Sequence, residues 1–460
     1  MIELAFHRGT LALSGPAELP EPLRDLALPD PRSGNFRARA CDYAAVVLAL
    51  IRNRIPFTDR ARDYAPLEEL RLRSAFSPRP HQLRALEAWK QHDCRGVAAL
   101  PTGAGKTFLA MLAIAHLRRP ALVLVPTIDL LIQWCGVIEK FFGVKPGMLG
   151  GGSREVRELT VSTYDSALLN LEFIGNRFAL LIADECHHLP SRENRMCGSM
   201  AIAPFRLGLT ATPELDAEYA AVLRDLLGPV VCEVDIAELA GTVLAEYEVK
   251  RIHVELSGDE AAEYARNRAV YTGFLRRWGI LFSRPSGWAD FLIACARKPG
   301  GREAFAAFLA QRRIARAGRA KLDAVSAILR EHPGERTIIF TADNAAAYEI
   351  GRRFVLPVLT HHTKAAERKE FLDRFRAGEY PVLVTSKVLN EGVDVPAAAV
   401  GVVVSGSGSV REHVQRLGRI LRPAPGKERA VLYELVSANT SEESISERRR
   451  AHSAYRRKSC

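Results

Sequence analysis

Cysteine motifs, long apolar runs and aromatic side chains are all scarce in this sequence of 460 residues, of which 7% are aromatic. The eight cysteines are scattered and none forms a Cys-x-x-Cys pair, which argues against a zinc ribbon or a disulfide framework and suits a reducing cytoplasm. No stretch reaches the roughly 18 apolar residues that a membrane-spanning helix needs. The first residues, MIELAFHRGTLALSG, lack the regions of a secretion signal. The expected location is therefore the cytoplasm, with no membrane partner.

Acidic residues are outnumbered. The chain has 64 Lys and Arg residues against 53 Asp and Glu residues, a formal net charge of +11 and a pI near 9.4. This excess favours a polyanionic partner, with nucleic acid first and an anionic membrane second, although plain solubility is the competing explanation. The 48% of hydrophobic residues are enough for a sizeable core.

Short apolar, β-branched runs alternate with amphipathic helical stretches over most of the chain. The first series of runs ends at LPTG, VPT, ADE and TAT, and the second at TAD, VTS, SGSG and ELV. Buried strands that alternate with helices indicate a mostly parallel sheet. Two such series predict two α/β domains, over residues 76–245 and 321–445.

Three segments depart from this pattern. Residues 1–75 hold short strand-like pieces and one helix, which predicts a small α+β domain. Residues 246–320 are rich in arginine and helical in pattern, which predicts a helical insertion between the α/β domains. The basic tail 446–460 either binds nucleic acid or is disordered, and its composition favours disorder.

The stretch LPTGAGKT (100–107) is a candidate phosphate-binding loop. Leu100 stands at the first glycine of G-x-x-x-x-G-K-[ST], so the strict pattern fails, but P-T-G-x-G-K-T lies between a predicted strand and a predicted helix. Backbone N–H groups of such a loop face phosphate oxygens at a helix N-terminus. Lys106 would meet the β- and γ-phosphates of ATP and Thr107 would hold Mg²⁺. The other candidate nucleotide-binding residues are Thr102, Gly103, Ala104 and Gly105.

The segment LIADECHHLP (181–190) ends another predicted strand. Its carboxylates suit ATP chemistry, with Asp184 holding the Mg²⁺ and Glu185 acting as the base that polarises the attacking water. Its Cys and His residues, with Cys197 nearby, are also potential zinc ligands, so a zinc site is an alternative. We favour the ATP site, in which Cys186 is core packing and His187 couples the nucleotide to other motifs.

These two segments resemble motifs I and II of superfamily 2 helicases, whose fold pairs two RecA-like parallel-sheet domains. RPHQ (79–82) resembles the Q motif, which implies that Gln82 reads adenine with Arg79 nearby. The remaining matches are VPTIDLLIQW (125–134) to motif Ia, VSTYDS (161–166) to Ib, TAT (210–212) to III, IIFTADN (338–344) to IV, VTSKVLNEGVDVP (384–396) to V and QRLGRILRP (415–423) to VI.

Within that superfamily the chain resembles the XPB helicases of archaea and bacteria. DECHHLP is similar to the DEVHHLP form of that family, RSGNFRARA resembles part of its damage-recognition domain, and 246–320 falls where the family has a helical thumb. One departure is the Arg-Glu-Asp triplet that archaeal members carry after TAT. Here the segment reads TATPELDAEYA, so ATP hydrolysis is expected, whereas translocation or local opening is the safer expectation than robust unwinding.

The resemblance also assigns roles by position. It implies arginine fingers at Arg419 and Arg422, which share one helix face. It implies further nucleotide contacts at Gly392, Asp394 and Gln415, and coupling roles for His187, Thr210 and Thr212. Candidate nucleic-acid contacts are Thr127, Thr163 and Thr385 by hydroxyl, and Arg312 and Arg316, with Arg313 and Arg319, by charge. For these arginines, a solvated helix face is an equal alternative.

The implied function is an ATP- and Mg²⁺-dependent DNA motor with 3′ to 5′ movement, acting on single-stranded, forked or locally opened DNA, in DNA repair. Two alternatives stay open, a double-strand translocase without robust unwinding and an ATP-switched DNA-binding module of a repair complex. An RNA helicase is a weaker one. Archaeal relatives work with a nuclease, so a nuclease partner is also an expectation.

Overall fold

The computed structural model describes residues 1–73, 76–212, 216–239, 243, 245–284, 286–386, 398–406 and 429–450. The chain forms two compact units, Met1–Glu238 and Leu239–Cys460. A short helix, α8 (Ile236–Leu239), contains the boundary between them. In the part of the chain described, no helix is both long and apolar enough to cross a membrane.

The first 60 residues form a small α+β domain, as predicted. Its elements are β1 (Ile2–His7), β2 (Thr10–Ser14), β3 (Leu28–Asp30), β4 (Asn35–Arg39), α1 (Tyr43–Arg52) and β5 (Phe57–Arg60). The sheet has the order β3-β4-β2-β1-β5, and only the β1–β5 pair is parallel. Alternate residues of β1 and β2 are buried, which places one sheet face in a core shared with α1.

An eight-stranded sheet forms the rest of the first unit, in the order β13-β6-β12-β11-β7-β10-β8-β9. Its elements are α2 (Pro80–Gln91), β6 (Arg95–Ala99), α3 (Lys106–Leu117), β7 (Ala121–Val125), α4 (Ile128–Phe142), β8 (Gly147–Gly150), β9 (Ser153–Arg154), β10 (Leu159–Thr163), α5 (Tyr164–Ile174), β11 (Leu180–Asp184), α6 (Arg195–Ser199), β12 (Phe205–Thr210), α7 (Ala217–Leu226) and β13 (Val230–Glu233). All pairs except β8–β9 are parallel. Strands β7, β10 and β11 are buried along their whole length. In β7 (ALVLV) and in the first four residues of β11 (LLIA) the sequence is continuously apolar rather than alternating.

The small domain packs directly on the domain that contains this eight-stranded sheet. Arg39 forms an ion pair with Asp225 at 2.6 Å. Ile202 lies in the core of the small domain, and Cys41 lies in the core of the larger one. The shared cores explain why the two domains form one compact unit.

The second unit contains a six-stranded parallel sheet in the order β14-β19-β18-β15-β17-β16. Its elements are β14 (Glu246–Val254), α9 (Gly258–Arg277), α10 (Gly287–Arg297), α11 (Gly301–Ala317), α12 (Arg319–Glu331), β15 (Thr337–Phe340), α13 (Asn344–Phe354), β16 (Val358–Leu359), α14 (Ala365–Ala377), β17 (Val382–Thr385), β18 (Val400–Val403), β19 (Arg429–Ser437) and α15 (Ser441–Arg450). The prediction of two parallel α/β domains is confirmed.

The predicted helical insertion, 246–320, begins with a strand rather than a helix in its first nine residues, EYEVKRIHV. They form β14, which pairs with β19 over its full length at the edge of the sheet. Because an edge strand is half exposed, its charged residues hid the strand pattern. Helices α9, α10 and α11 do follow, around an aromatic core that includes Phe274, Phe291 and Phe308.

Candidate active site

The phosphate-loop candidate occupies the turn between β6 and α3. Gly103 and Gly105 adopt φ values of +87° and +86°, a region that side chains rarely enter. A Cβ at Gly105 would lie 2.3 Å from Gln82 Nε2, so a side chain there would strain the backbone and displace Gln82. Helix α3 begins at Lys106 and points its N-terminus at the loop, the arrangement that attracts phosphate.

Gln82 and His81, on the first turn of α2, support the loop from behind. Gln82 Nε2 donates to the carbonyls of Ala104 (3.2 Å) and Gly105 (3.1 Å), while its Oε1 accepts from Arg79 N at 2.9 Å. His81 Nε2 lies 2.8 Å from the Ala104 carbonyl. Both amide hydrogens of Gln82 are thus used by the loop. Fixing the phosphate loop is a role that sequence reasoning missed, and adenine recognition by Gln82 stays a prediction.

The acidic end of β11 faces this loop. Asp184 is buried and accepts from Trp134 Nε1 (2.8 Å) and from Glu185 N (3.0 Å). Glu185 takes a left-handed backbone conformation, φ +46°, and its Oε1 lies 3.4 Å from Lys106 Nζ. Its Oε2 lies 3.5 Å from His187 Nδ1. Four residues that the sequence singled out are therefore brought together.

The protein groups around Asp184 disfavour its ionised form. Burial and, to a lesser extent, the neighbouring Glu185 raise the pKa of Asp184 to about 6, and Lys106 and the Trp134 donor oppose the rise. A divalent cation would compensate this buried charge, and Mg²⁺ takes oxygen ligands of this kind. Asp184 and Thr107, the second residue of α3, fit the predicted Mg²⁺ site by donor type.

The TAT segment forms a turn at the end of β12 that is held by hydrogen bonds between its two threonines. Thr210 Oγ1 donates to the Thr212 carbonyl at 2.8 Å and accepts from Thr212 N at 3.3 Å, and both side chains are buried. Leu100 N donates to the Thr210 carbonyl at 2.9 Å. This turn is therefore joined through the backbone to the first residue of the phosphate loop.

The cysteines of this region are structural. Cys186 is fully buried, and a Cβ at Gly208 would lie 3.1 Å from its Sγ. Cys197 Sγ donates to the Tyr164 carbonyl at 3.4 Å, and burial raises the pKa of its thiol to about 12. The prediction that Cys186 is core packing is confirmed. Over the described ranges, no group of three or more His, Cys, Asp or Glu residues is placed to hold a metal.

His188 packs its ring on His187, with centroids 4.3 Å apart, and lies 6.4 Å from the ring of Tyr164. Its carbonyl accepts from Asn194 Nδ2 at 3.0 Å. The sequence assigned no role to His188. The structure shows that it supports His187 from the side, a contact that has no local sequence signal.

Two of the candidate nucleic-acid threonines cap helices. Thr127 Oγ1 accepts from Leu130 N (3.3 Å) at the start of α4, and Thr163 Oγ1 accepts from Ser166 N (3.2 Å) at the start of α5. Both helices begin at the carboxyl end of the same sheet, where ligands of open α/β sheets bind. The signal was present in the sequence as a threonine after each apolar run.

Thr385 is placed differently. It is fully buried, and its hydroxyl donates to the Ser386 carbonyl at 3.2 Å. The burial of this hydroxyl counts against a phosphate contact, and the contact of Thr385 with nucleic acid stays a prediction.

Arg312 and Arg316 lie on α11 beside a cavity of about 1010 Å³. Arg316 is paired with Asp343 at 2.8 Å, and Arg312 lies over the ring of Phe308 at 5.1 Å. The cavity is also lined by Arg313, Arg319, Arg353, Glu260, Glu263 and Glu349. These partners favour a mixed-charge helix surface for Arg316, whereas phosphate contact stays a prediction for Arg312. The remaining candidates, Gly392, Asp394, Gln415, Arg419 and Arg422, lie outside the described residues.

Three family models match the chain in succession. Residues 4–61 match the xeroderma pigmentosum group B helicase damage recognition domain, 75–215 match the type III restriction enzyme res subunit, and 310–454 match the ERCC3/RAD25/XPB C-terminal helicase. Among solved structures, the Pyrococcus furiosus Hef helicase domain is similar, with a TM-score of 0.53 and 20% identity, covering 80% of this chain and 97% of that one. The fold is that of superfamily 2 helicases, with two RecA-like domains.

Curated relatives narrow this class. The "DNA 3'-5' translocase XPB2" of Sulfurisphaera tokodaii is 37% identical over 90% of this chain and 93% of its own length. The "DNA 3'-5' helicase XPB" of Mycobacterium tuberculosis is 31% identical over 75% of this chain, which spans 58% of that protein. The chain belongs to the XPB helicase family.

Proposed function

We propose that this protein is an ATP-dependent DNA motor that moves 3′ to 5′ and opens DNA locally, in DNA repair. The observation that carries the proposal is the grouping of Lys106, Asp184 and Glu185 at one end of a parallel sheet. The names of the relatives support DNA and direction, and the damage-recognition match supports repair.

The chemistry follows from these side chains. In the structure, Lys106 Nζ lies 3.4 Å from Glu185 Oε1. ATP phosphates would take over the lysine ammonium, which leaves the Glu185 carboxylate able to accept a proton from the attacking water. Bound Mg²⁺, held by Asp184 and Thr107, would neutralise charge on the phosphates. We propose Arg419 and Arg422 as the arginines that complete the charge neutralisation.

A comparison of substrates tests this function. ATP hydrolysis should be stimulated by single-stranded and forked DNA, and much less by RNA of the same sequence. The measurement is the steady-state ATPase rate at saturating nucleic acid, alongside a strand-displacement assay. Stimulation by RNA equal to that by DNA, or no stimulation by any nucleic acid, would refute a DNA motor.

Double-strand translocation without robust unwinding is a second candidate. The segment TATPELDAEYA lacks the Arg-Glu-Asp triplet, and the 37% identical relative is itself called a translocase. Triplex displacement without strand separation would favour this candidate over a helicase. A nuclease partner is a further proposal, to be tested by co-purification from the native host.

A further inference from the structure

Two buried aromatic donors converge on Asp184. Trp134 Nε1 donates to the carboxylate Oδ2 at 2.8 Å, and Tyr164 Oη donates to the backbone carbonyl at 3.1 Å. Trp134 is 1% exposed and Tyr164 is 3% exposed. Water cannot readily replace either donor at this depth, so both bonds hold the aspartate in place.

The two donors come from the helices that begin at Thr127 and Thr163. Tyr164 is the first residue of α5, and Trp134 lies in the second turn of α4, roughly 10 Å along the axis from its N-terminus. Strand β7, which leads into α4, pairs with both β10 and β11. The end of β11, which holds Asp184, and the starts of α4 and α5 therefore lie side by side at the carboxyl end of the sheet.

A glycine turn joins the two helix starts. A Cβ at Gly150 would lie 3.0 Å from Leu131 Cδ1 and 3.1 Å from Thr163 Cγ2, and a Cβ at Gly151 would lie 3.3 Å from Ile128 Cγ2. The φ values of Gly150 and Gly151 are +139° and +58°. The turn thus fits closely against both helices, and a ligand that fixes one helix start also constrains the other.

We propose that Trp134 and Tyr164 are positioning residues that transmit nucleic-acid binding at the starts of α4 and α5 to the Mg²⁺-holding carboxylate of Asp184. This inference rests on the proposed function. Phosphates held at the two helix starts fix both helices. The helices fix Asp184 through one donor each, and partners that orient a metal ligand commonly change metal affinity or activity by 10- to 100-fold.

The test removes each donor and keeps its ring, with Trp134→Phe and Tyr164→Phe. For Trp134→Phe, we expect the ratio of DNA-stimulated to basal ATPase rate to fall about tenfold. The Mg²⁺ concentration for half-maximal rate with DNA should rise by a similar factor. DNA affinity, measured by fluorescence anisotropy, should stay within about twofold. Tyr164→Phe should act in the same direction and more weakly, because its bond is to a neutral carbonyl.

Matched controls separate coupling from folding. Trp89 is 1% exposed and donates to the Arg206 carbonyl at 2.8 Å, and Tyr43 Oη donates to Asp59 Oδ2 at 2.6 Å. Trp89→Phe and Tyr43→Phe should lower Tm to a similar extent without changing the stimulation ratio or the Mg²⁺ requirement.

Three results would overturn the proposal. They are a wild-type stimulation ratio in Trp134→Phe, an equal loss of basal and stimulated rates, and a change no larger than that of Trp89→Phe. If Trp134→Phe is too unstable to assay, the same three criteria apply to Tyr164→Phe against Tyr43→Phe. Wild-type protein that no DNA stimulates would instead refute the proposed function, so the two failures are distinguishable.

Discussion

Each compact unit contains a lysine–glutamate pair in a sheltered position, and the two pairs differ in how closed they are. In the first unit, Lys106 and Glu185 lie 3.4 Å apart, with side chains 11% and 14% exposed. In the second unit, Lys321 and Glu442 are in direct contact, with side chains 0% and 5% exposed, and Lys321 Nζ also donates to the Val404 carbonyl at 2.5 Å.

The difference separates a functional pair from a structural one. The partly exposed pair of Lys106 and Glu185 can exchange partners when a phosphate group binds. Separating the buried pair of Lys321 and Glu442 would leave a buried charge without its partner, which costs several kcal/mol of folding free energy. Lys321 lies in the first turn of α12 and Glu442 in the first turn of α15, so the closed pair ties the helix after β19 to α12. We propose that the same two residue types serve catalysis in one unit and stability in the other.

The largest effect is expected at the open pair. Lys106→Ala should lower the DNA-stimulated ATPase rate about 100- to 1000-fold, because the transferred phosphate loses its main cationic contact. Tm should change little, since the lysine is not in a closed ion pair. ATPase kinetics and a thermal melt check this. Turnover retained in Lys106→Ala would contradict the phosphate-loop assignment. The control is Lys90→Ala, which removes a partly exposed lysine of α2.

The closed pair should show the opposite behaviour. Lys321→Met should destabilise the protein by about 3–5 kcal/mol, because Glu442 remains buried without its cation. The ATPase rate per folded molecule should be nearly unchanged below Tm. Chemical denaturation measures the free energy of unfolding. The double variant Lys321→Met/Glu442→Met should regain much of the loss, and an equally unstable double variant would contradict the ion-pair explanation.

The dependence of stability on pH and on Mg²⁺ should further distinguish the candidate active site from the closed pair of Lys321 and Glu442. Because the folded-state pKa of Asp184 is raised from 3.8 to about 6, the carboxyl group binds its proton more tightly in the folded protein. The metal-free protein therefore loses stability as pH rises through about 6, by up to about 3 kcal/mol.

Mg²⁺ binds the charged carboxylate, so the Mg²⁺-induced rise in Tm should be larger at about pH 7.5 than at about pH 5. Melting curves with and without Mg²⁺ at both pH values measure it. Asp184→Asn should abolish the pH dependence of the Mg²⁺ effect, and an unchanged dependence in this variant would assign it to another group.

The smallest effect concerns the two kinds of threonine. Thr127→Ala should weaken single-stranded DNA binding about 2- to 10-fold through one lost hydrogen bond, whereas Thr385→Ala should leave affinity unchanged because that hydroxyl is buried. Thr127→Ser keeps both the helix cap and the hydroxyl and is the control. Anisotropy titrations at fixed salt measure Kd, and an effect of Thr385→Ala equal to that of Thr127→Ala would show that the buried position opens.

Local sequence patterns predicted the parallel strands and the phosphate loop because each has a continuous signature. The run FALLIADE predicts a buried strand that ends in carboxylates, and the strand β11 ends at Asp184. The edge strand β14 was missed because it is partly exposed. Its charged residues therefore interrupt the alternation of apolar and polar residues that marks a strand. The loop-supporting role of Gln82 was also missed, because it depends on carbonyls more than 20 residues away in sequence.

By itself, the sequence determined the chemistry available at the site: a glycine loop ending in Lys106, a strand ending in Asp184 and Glu185, and the family in which these motifs occur together. Only the tertiary structure decided which groups hold that chemistry in position. The Trp134 donor reaches Asp184 from 50 residues away, and the closed pair of Lys321 and Glu442 spans 121 residues. The physical reason is that residue type and local spacing fix what a side chain can do, whereas burial and partners arise only when distant segments pack together.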